Sequence, residues 1–298
     1  AIENMGQSWS KPTIAYVNWK GQRKQVMFVG GGYDASGTVA CAESETGVSL
    51  SAYSNKGYEC PTYNQTNKKG AGVYMFDADN GDLLWWASSS ATTKNDTAKE
   101  NALNVTDMDY SVVSRISVAD RDGNGLVDHL YFGDLGGQVW RVDINANTTT
   151  GDFAQRATRI LNLHKAGGLS PRFFDAPNFT IYGYEQPLAV ISIASGNRSL
   201  PASDSSSGAI YNLFDRDVIK TNLYSLAADK LETKDIDLTT TGKALRGILG
   251  KDEAKDKNIA EVKALMPNGW AVSFSNAKKV TDEMVVMNKN LYASVYIC

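Results

Sequence analysis

Short runs of apolar or alternating residues, each bounded by Gly, Asn or Asp, recur along nearly the whole chain. TIAYVNW (13–19) and QVMFVGG (25–31) lie on either side of the turn KGQR, and HLYFGDL (129–135) and QVWRVDI (138–144) flank a pair of glycines. Runs of this length predict strands, and short links that contain glycine predict antiparallel hairpins. The pattern therefore predicts an all-β fold made of successive hairpins.

Some of these runs resemble one another. Gly72 precedes Val73-Tyr74-Met75-Phe76-Asp77, and Gly137 precedes, after one residue, Val139-Trp140-Arg141-Val142-Asp143; a weaker copy, Ile210-Tyr211-Asn212-Leu213, follows Gly208. The copies are about 66 and about 71 residues apart, wider than a usual propeller blade of about 40–50 residues. Either the blades carry insertions, or the repeat skips blades, or ordinary hairpin chemistry produces the pattern. We predict a modified β-propeller of antiparallel blades, with insertions and one or a few short helices.

One helix is predicted, within KDEAKDKNIAEVKALM (251–266), where Ile259, Val262 and Leu265 have helical spacing. The polar segments 91–104 and 199–208 are expected to be loops, because strand patterns resume soon after each. The prediction is a single domain over residues 1–298.

Composition excludes several classes of protein. A net charge of -3 and a pI near 5.5 argue against nucleic-acid binding. No run of about 18 apolar residues is present to span a bilayer, and Ala1 opens without a basic or apolar leader. The chain is thus expected to be cytosolic or an excised piece of a processed protein.

The three cysteines are Cys41, Cys60 and Cys298. A bridge between the first two would close a loop of about 20 residues, worth roughly 3 kcal/mol by loop entropy, and would favour an oxidising compartment. Two unpaired thiols are the alternative, and Cys298 has no evident partner.

The stretch DRDGNGLVD (120–128) is the strongest candidate for chemistry. Side-chain oxygens recur at every second position, at Asp120, Asp122 and Asn124, and Asp128 closes the series. Calcium prefers six to eight oxygen ligands, including backbone carbonyls, and Leu126 stands where a carbonyl ligand is expected. We therefore predict a calcium site formed by these five residues, against the alternative of a solvated acidic turn.

The loop differs from that of helix-loop-helix calcium proteins. Tyr131 stands where those loops have a bidentate glutamate, and strands are predicted on both sides. Zinc is disfavoured because His129 is the one nearby soft ligand, and magnesium because it seldom accepts an all-protein cage. The two histidines and the absence of a nucleophile motif argue against an acid-base enzyme.

Taken in order, several segments resemble the C-terminal domain of the PilY/PilC family of type IV pilus biogenesis factors. The most specific is VADRDGNGLVDHLYFGDLGGQVWRVDI (118–144), and the resemblance covers nearly the whole chain. It rests further on the segments MGQSWSKPTIAYV (5–17), VMFVGGGYD (26–34), GVYMFDADNGDLLW (72–85), ISIASGNRSL (191–200), AIYNLFD (209–215) and NGWAVSF (268–274).

The resemblance implies a modified β-propeller with a bound calcium ion, whose ligand positions match Asp120, Asp122, Asn124, Leu126 and Asp128. It also implies roles in pilus extension and retraction, adhesion and twitching motility, at the outer membrane, cell surface or pilus tip after export through the periplasm. Pilins, minor pilins and host or environmental surfaces are the implied partners. The chain would be a C-terminal domain excised from a longer protein.

Three functions are compatible with the sequence. The first is a non-enzymatic calcium-dependent pilus module. The second is a quinone-cofactor dehydrogenase, since G-V-Y-x-x-D-x-x-x-G (72–81) also resembles blades of those enzymes, but their pair of adjacent cysteines is missing. The third is a calcium-dependent carbohydrate-binding adhesin.

Overall fold

The structure is a computed structural model that describes residues 1–34, 65–92, 101–144, 152–183, 187–199, 208–236, 238, 267–274, 278–288 and 290–297. The three cysteines and the predicted helix at 251–266 lie outside these residues, so the disulfide and the helix stay predictions. No helix among the described residues is long and apolar enough to cross a bilayer.

The described residues form an all-β structure, as predicted, with 3-10 helices at Ile2–Asn4, Leu223–Ser225 and Ala228–Lys230. Its strands are β1 (Thr13–Trp19), β2 (Gln22–Gly30), β3 (Val73–Asp77), β4 (Leu83–Ser88), β5 (Asn101–Asn104), β6 (Ser117–Ala119), β7 (His129–Gly133), β8 (Gln138–Ile144), β9 (Ala154–Asn162), β10 (Asn178–Tyr182), β11 (Leu188–Ser195), β12 (Ala209–Asp215), β13 (Gly269–Ser273), β14 (Lys279–Val280), β15 (Val285–Met287), β16 (Asn290–Tyr292) and β17 (Val295–Tyr296).

Three main sheets follow one another along the chain. Sheet A has the order β1-β2-β3-β4-β5, sheet B the order β6-β7-β8-β9, and sheet C the order β10-β11-β12-β13. Two further pairs, β14-β17 and β15-β16, follow sheet C. Neighbouring strands of the three main sheets are antiparallel except β4 and β5. Sheets of consecutive strands agree with the predicted hairpins, and a closed propeller ring stays a prediction.

The turns explain why these strands pair in register. Lys20 and Gly21 link β1 to β2 and both have positive φ, 52° and 82°, as a two-residue hairpin turn requires. In the β3–β4 turn the Asp77 carboxylate accepts a hydrogen bond from the Asp79 N–H at 3.0 Å. The segment DADNGD (77–82) is therefore the simple hairpin turn that its composition predicts.

Two segments differ from their sequence patterns. SVVSRISVA (111–119) reads as one strand, but the strand is confined to Ser117–Ala119. Ser111 forms only an isolated antiparallel bridge with Ala71, and the Val112 N–H bonds to the Gly70 carbonyl. Residues 101–104, expected within a polar loop, form β5, which runs parallel to β4. Pairing at a sheet edge uses backbone groups, so β5 needs no apolar alternation.

Sheet B lies between the other two sheets and is buried on both faces. Phe132 and Trp140 face sheet A and pack in one core cluster with Phe28, Trp85 and others. Tyr131 and Val139, on the opposite face, pack toward Tyr211 in a second cluster. Because both faces are covered, every residue of β7 and β8 is buried, whatever its polarity.

A repeated side-chain hydrogen bond, here called the clasp, joins each sheet to the next. Each clasp runs from the first residue of a sheet's first strand to the carbonyl just before the first strand of a later sheet, which is β6, β10 or β15. The three pairs are Thr13 Oγ1 to Ile116, Ser117 Oγ to Pro177, and Asn178 Nδ2 to Met284.

The third clasp places the β15-β16 hairpin. Met284 precedes β15 as Ile116 precedes β6 and Pro177 precedes β10. The first strands also lie side by side, β1 with β6, β6 with β10 and β10 with β15. The β15-β16 hairpin therefore occupies the position of the first hairpin of a fourth sheet.

Replacing Asn178 with alanine should release this hairpin. The change removes the 2.5 Å bond to the Met284 carbonyl and is expected to lower the free energy of unfolding by about 1 kcal/mol. Hydrogen exchange should accelerate in residues 285–292. Ser117→Ala, which removes the preceding clasp, is the control; equal acceleration of residues 285–292 in both variants would contradict this assignment.

Candidate metal centre

The DRDGNGLVD loop joins β6 to β7, and its closing end is fixed by backbone hydrogen bonds. The Asp128 N–H donates to the Ala119 carbonyl at 2.8 Å, and the Asp128 carbonyl accepts from the Ile144 N–H at 2.9 Å. The Val127 N–H donates to the Tyr16 carbonyl of β1 at 2.9 Å. The loop thus starts and ends on rigid strands, as sequence analysis predicted.

Three carboxylates converge in this loop. One oxygen from each of Asp120, Asp122 and Asp128 lies within 4.8 Å of the others. Asp128 is buried, with 4% of its surface exposed, whereas Asp120 and Asp122 are exposed. In the part of the chain that the structure describes, none of the three forms an ion pair with a lysine, arginine or histidine. No protein cation among the described residues is therefore paired directly with them to offset their mutual repulsion.

Backbone N–H groups hold the carboxylates in place. Asp120 accepts from the N–H of Gly123 and of Gly125, each at 2.8 Å, and Asp128 accepts from that of Arg121 at 2.7 Å. The two glycines have φ of 75° and 82°, a left-handed conformation that costs glycine little. Glycine at these positions lets the chain fold its donors inward around Asp120.

The other two predicted ligands lie in the same loop. Asn124 accepts from the Leu126 N–H at 2.8 Å through Oδ1 and donates from Nδ2 to Asp122 at 2.9 Å. Coordination by the Asn124 oxygen and the Leu126 carbonyl stays a prediction. Tyr131, at the position of the missing glutamate, lies on β7 and donates to Asp215 at 3.1 Å.

A buried charged cluster lies beside the loop, and sequence reasoning missed it. The Arg141 guanidinium contacts both Asp215 oxygens at 2.7 Å and Asp143 at 2.8 Å, and all three side chains are fully buried. His129, next to Asp128, has its Nδ1 2.9 Å from Asp143. The available signal was the alternation in QVWRVDI, which places Arg141 and Asp143 on one face of a fully buried strand.

The electrostatic state of this cluster follows from its contacts. Burial by itself raises the pKa of Asp143, but the Arg141 charge and the hydrogen bonds from His129 and Arg141 outweigh it and hold the pKa below its usual range. Asp143 is therefore ionised and charge-paired.

His164 has structural partners. Its Nδ1 lies 2.8 Å from the Gly136 carbonyl, and its Nε2 lies 2.8 Å from the Tyr110 hydroxyl. Its ring also stacks on that of Tyr110. His164 is thus hydrogen-bonded and packed within the fold.

No protein-family model matches the sequence, and neither does any curated protein. The structure matches the crystal structure of the Pseudomonas aeruginosa PilY1 C-terminal domain, with a TM-score of 0.59 and 15% identity. The match covers 99% of this chain and 57% of the solved chain. The resemblance seen in the sequence is thus confirmed at the level of the fold, and this chain has the fold of the PilY1 C-terminal domain.

Proposed function

We propose that this chain is a calcium-binding domain of a type IV pilus biogenesis and adhesion factor, and that its role is binding rather than catalysis. The observation that carries the proposal is the convergence of Asp120, Asp122 and Asp128 within 4.8 Å, with no protein cation paired to them among the described residues. The shared fold with the PilY1 C-terminal domain supports the connection to pili.

The donor set fits calcium. Carboxylate, amide and backbone oxygens are hard ligands, and calcium accepts six to eight of them in a flexible shell. Asp120, Asp122, Asn124, the Leu126 carbonyl and Asp128 would supply the protein ligands. The neighbouring His129 is buried against Asp143 rather than the loop carboxylates, which disfavours zinc. A bound cation would supply the positive charge that the three carboxylates lack.

In this proposal, calcium occupancy stabilises the loop and the surface around it, and that state governs pilus extension and retraction, adhesion and twitching motility. A ligand shifts such an equilibrium through its different affinities for the two states. The proposed partners are pilins, minor pilins and host or environmental surfaces. The proposed location is the outer membrane or pilus tip. The proposal includes a modified β-propeller in a single domain over residues 1–298.

Calorimetric titration with calcium tests the site. Asp128→Asn keeps the shape of the side chain and removes its charge, and is expected to weaken calcium binding by at least about tenfold. Asp79→Asn, in the β3–β4 turn, is the matched control and should bind calcium like the unmodified protein. Equal affinity in the Asp128 variant, or no calcium binding by the unmodified protein, would refute the site.

The pilus role is tested in cells that carry the full-length protein. At a calcium concentration that saturates the unmodified protein but not the variant, Asp128→Asn should change the number of surface pili and the twitching zone, while Asp79→Asn should not. Unchanged pili in a variant that no longer binds calcium would refute the regulatory role and leave the metal site intact.

A further inference from the structure

Residues 217–236, here called the strap, cross the outer edge of sheet B close to the metal loop. Asp217 is fully buried and accepts the N–H groups of Glu232 at 3.0 Å and Thr233 at 2.8 Å. Its other partner is the Lys220 ammonium at 2.9 Å. The Asp217 carboxylate thus holds the beginning of the strap against residues 232–233 near its end.

Side chains of β9 fix the middle of the strap to sheet B. Arg156 donates to the carbonyls of Leu223 and Leu226, both at 2.6 Å, and Gln155 donates to that of Tyr224 at 2.7 Å. Arg156 also contacts the buried Asp143 at 3.0 Å. These contacts do not involve the metal loop.

Arg121 joins the strap to the metal loop. Its guanidinium donates to the carbonyls of Val218 at 3.1 Å and Lys220 at 3.4 Å, and it lies 5.5 Å from the centre of the Tyr224 ring. Its own N–H donates to the Asp128 carboxylate at 2.7 Å. Among residues 120–128, Arg121 alone hydrogen-bonds to the strap in the part of the chain that the structure describes.

We propose that Arg121 is a positioning residue that couples cation occupancy of the metal loop to the order of the strap. This proposal rests on the proposed calcium site. A cation drawn between Asp120 and Asp128 fixes the backbone of Arg121, which lies between them in the loop. The fixed backbone then holds the guanidinium against the strap carbonyls. Without the cation, repulsion among the carboxylates loosens Arg121 and releases that end of the strap.

The strap also lines a cavity on the surface of the protein. The strap forms one wall of a cavity of about 480 Å³ through Ala228, Leu231, Lys234 and Asp235. Residues of β5 and β9 also line this cavity. The segment that Arg121 contacts thus belongs to the same strap that forms one wall of this cleft between two sheet edges.

Hydrogen exchange followed by mass spectrometry, with and without calcium, tests the coupling. In the unmodified protein, calcium should slow exchange at least about threefold both in residues 120–128 and in residues 217–226. In Arg121→Ala, calcium should still protect the loop, but the protection of the strap should be lost. Arg121→Lys, which keeps a charged donor, should restore part of it.

Because coupling is reciprocal, a change in the strap should also alter the affinity of the loop for calcium. Asp217→Asn weakens the base of the strap without touching the loop and should lower calcium affinity about threefold, as should Arg121→Ala. A protected loop with an unaffected strap in the unmodified protein would overturn the proposal, as would full strap protection in Arg121→Ala. Absence of both calcium binding and loop protection would instead refute the calcium site.

Discussion

Replacement of Arg141 by methionine is expected to lower the free energy of unfolding by about 3–5 kcal/mol. Arg141 lies on β8 between two carboxylates, Asp143 and Asp215, and no part of the three side chains is exposed. Methionine fills a similar volume but leaves both carboxylates facing each other without their shared cation. Breaking a buried ion pair from one side is costly because the remaining charge has lost its hydration and its partner.

The variant should also have a different pH dependence. Burial acts to raise the pKa of Asp143, but the Arg141 charge and the hydrogen bonds outweigh it and hold the pKa below the ordinary value of 3.8, so this carboxylate contributes stability that is lost as pH falls. In Arg141→Met, Asp143 keeps Arg156 and His129 as partners, but the loss of the Arg141 charge should raise its pKa and reduce that contribution. The stability difference between the two proteins should therefore be larger at about pH 7 than at about pH 3.

Urea unfolding at several pH values measures both effects. Lys230→Met is the control, because the Lys230 side chain is 70% exposed beside Asp229, and exposed pairs contribute little to stability. A loss below about 1 kcal/mol in Arg141→Met, with no change in pH dependence, would show that the cluster does not hold sheets B and C together.

The second large effect is expected in Asp120→Asn/Asp122→Asn, which should weaken calcium binding at least about a hundredfold. Its effect on stability should change sign with calcium. In a chelator, removing two charges from a triad within 4.8 Å should raise the free energy of unfolding by about 1 kcal/mol. With calcium in hundredfold excess over the dissociation constant, the unmodified protein gains about 2.7 kcal/mol, a gain that the variant should lack.

Thermal unfolding in chelator and in calcium tests this reversal. Asp79→Asn/Asp82→Asn removes two exposed carboxylates from the β3–β4 turn and serves as the matched control. Calcium should stabilise this control as much as it stabilises the unmodified protein. If the variant in the 120–128 loop were destabilised equally in both conditions, the carboxylates would be acting as turn-forming acceptors and not as cation ligands.

The acidic loop could be predicted because its carboxylates lie close together in the sequence. Alternation from Asp120 to Asp128, together with glycines at the two left-handed positions, was sufficient to identify a compact acidic loop, and its carboxylates do converge. The strands were predictable for the same reason: HLYFG and QVWRVDI carry their signal within a few residues.

Contacts between distant segments could not be predicted in this way. Arg141 and Asp215 are 74 residues apart, and nothing local indicates that the end of β12 meets the middle of β8. Arg121 likewise donates to carbonyls 97 and 99 residues away. A backbone carbonyl acceptor leaves no mark in the sequence, because every residue has one. The pairing of β5 with β4 is hidden for the same reason.

The clasps have a consequence for how the chain acquires its structure. Each main sheet is built from strands that are consecutive along the chain, so the connections between its strands contain no strand of another sheet. Each clasp then needs the next sheet to have begun, at Ile116, Pro177 or Met284. A chain whose amino terminus emerges first can thus add one sheet at a time, and each new sheet packs against the preceding one. Such vectorial assembly would cover an apolar face of each sheet when the next sheet docks on it.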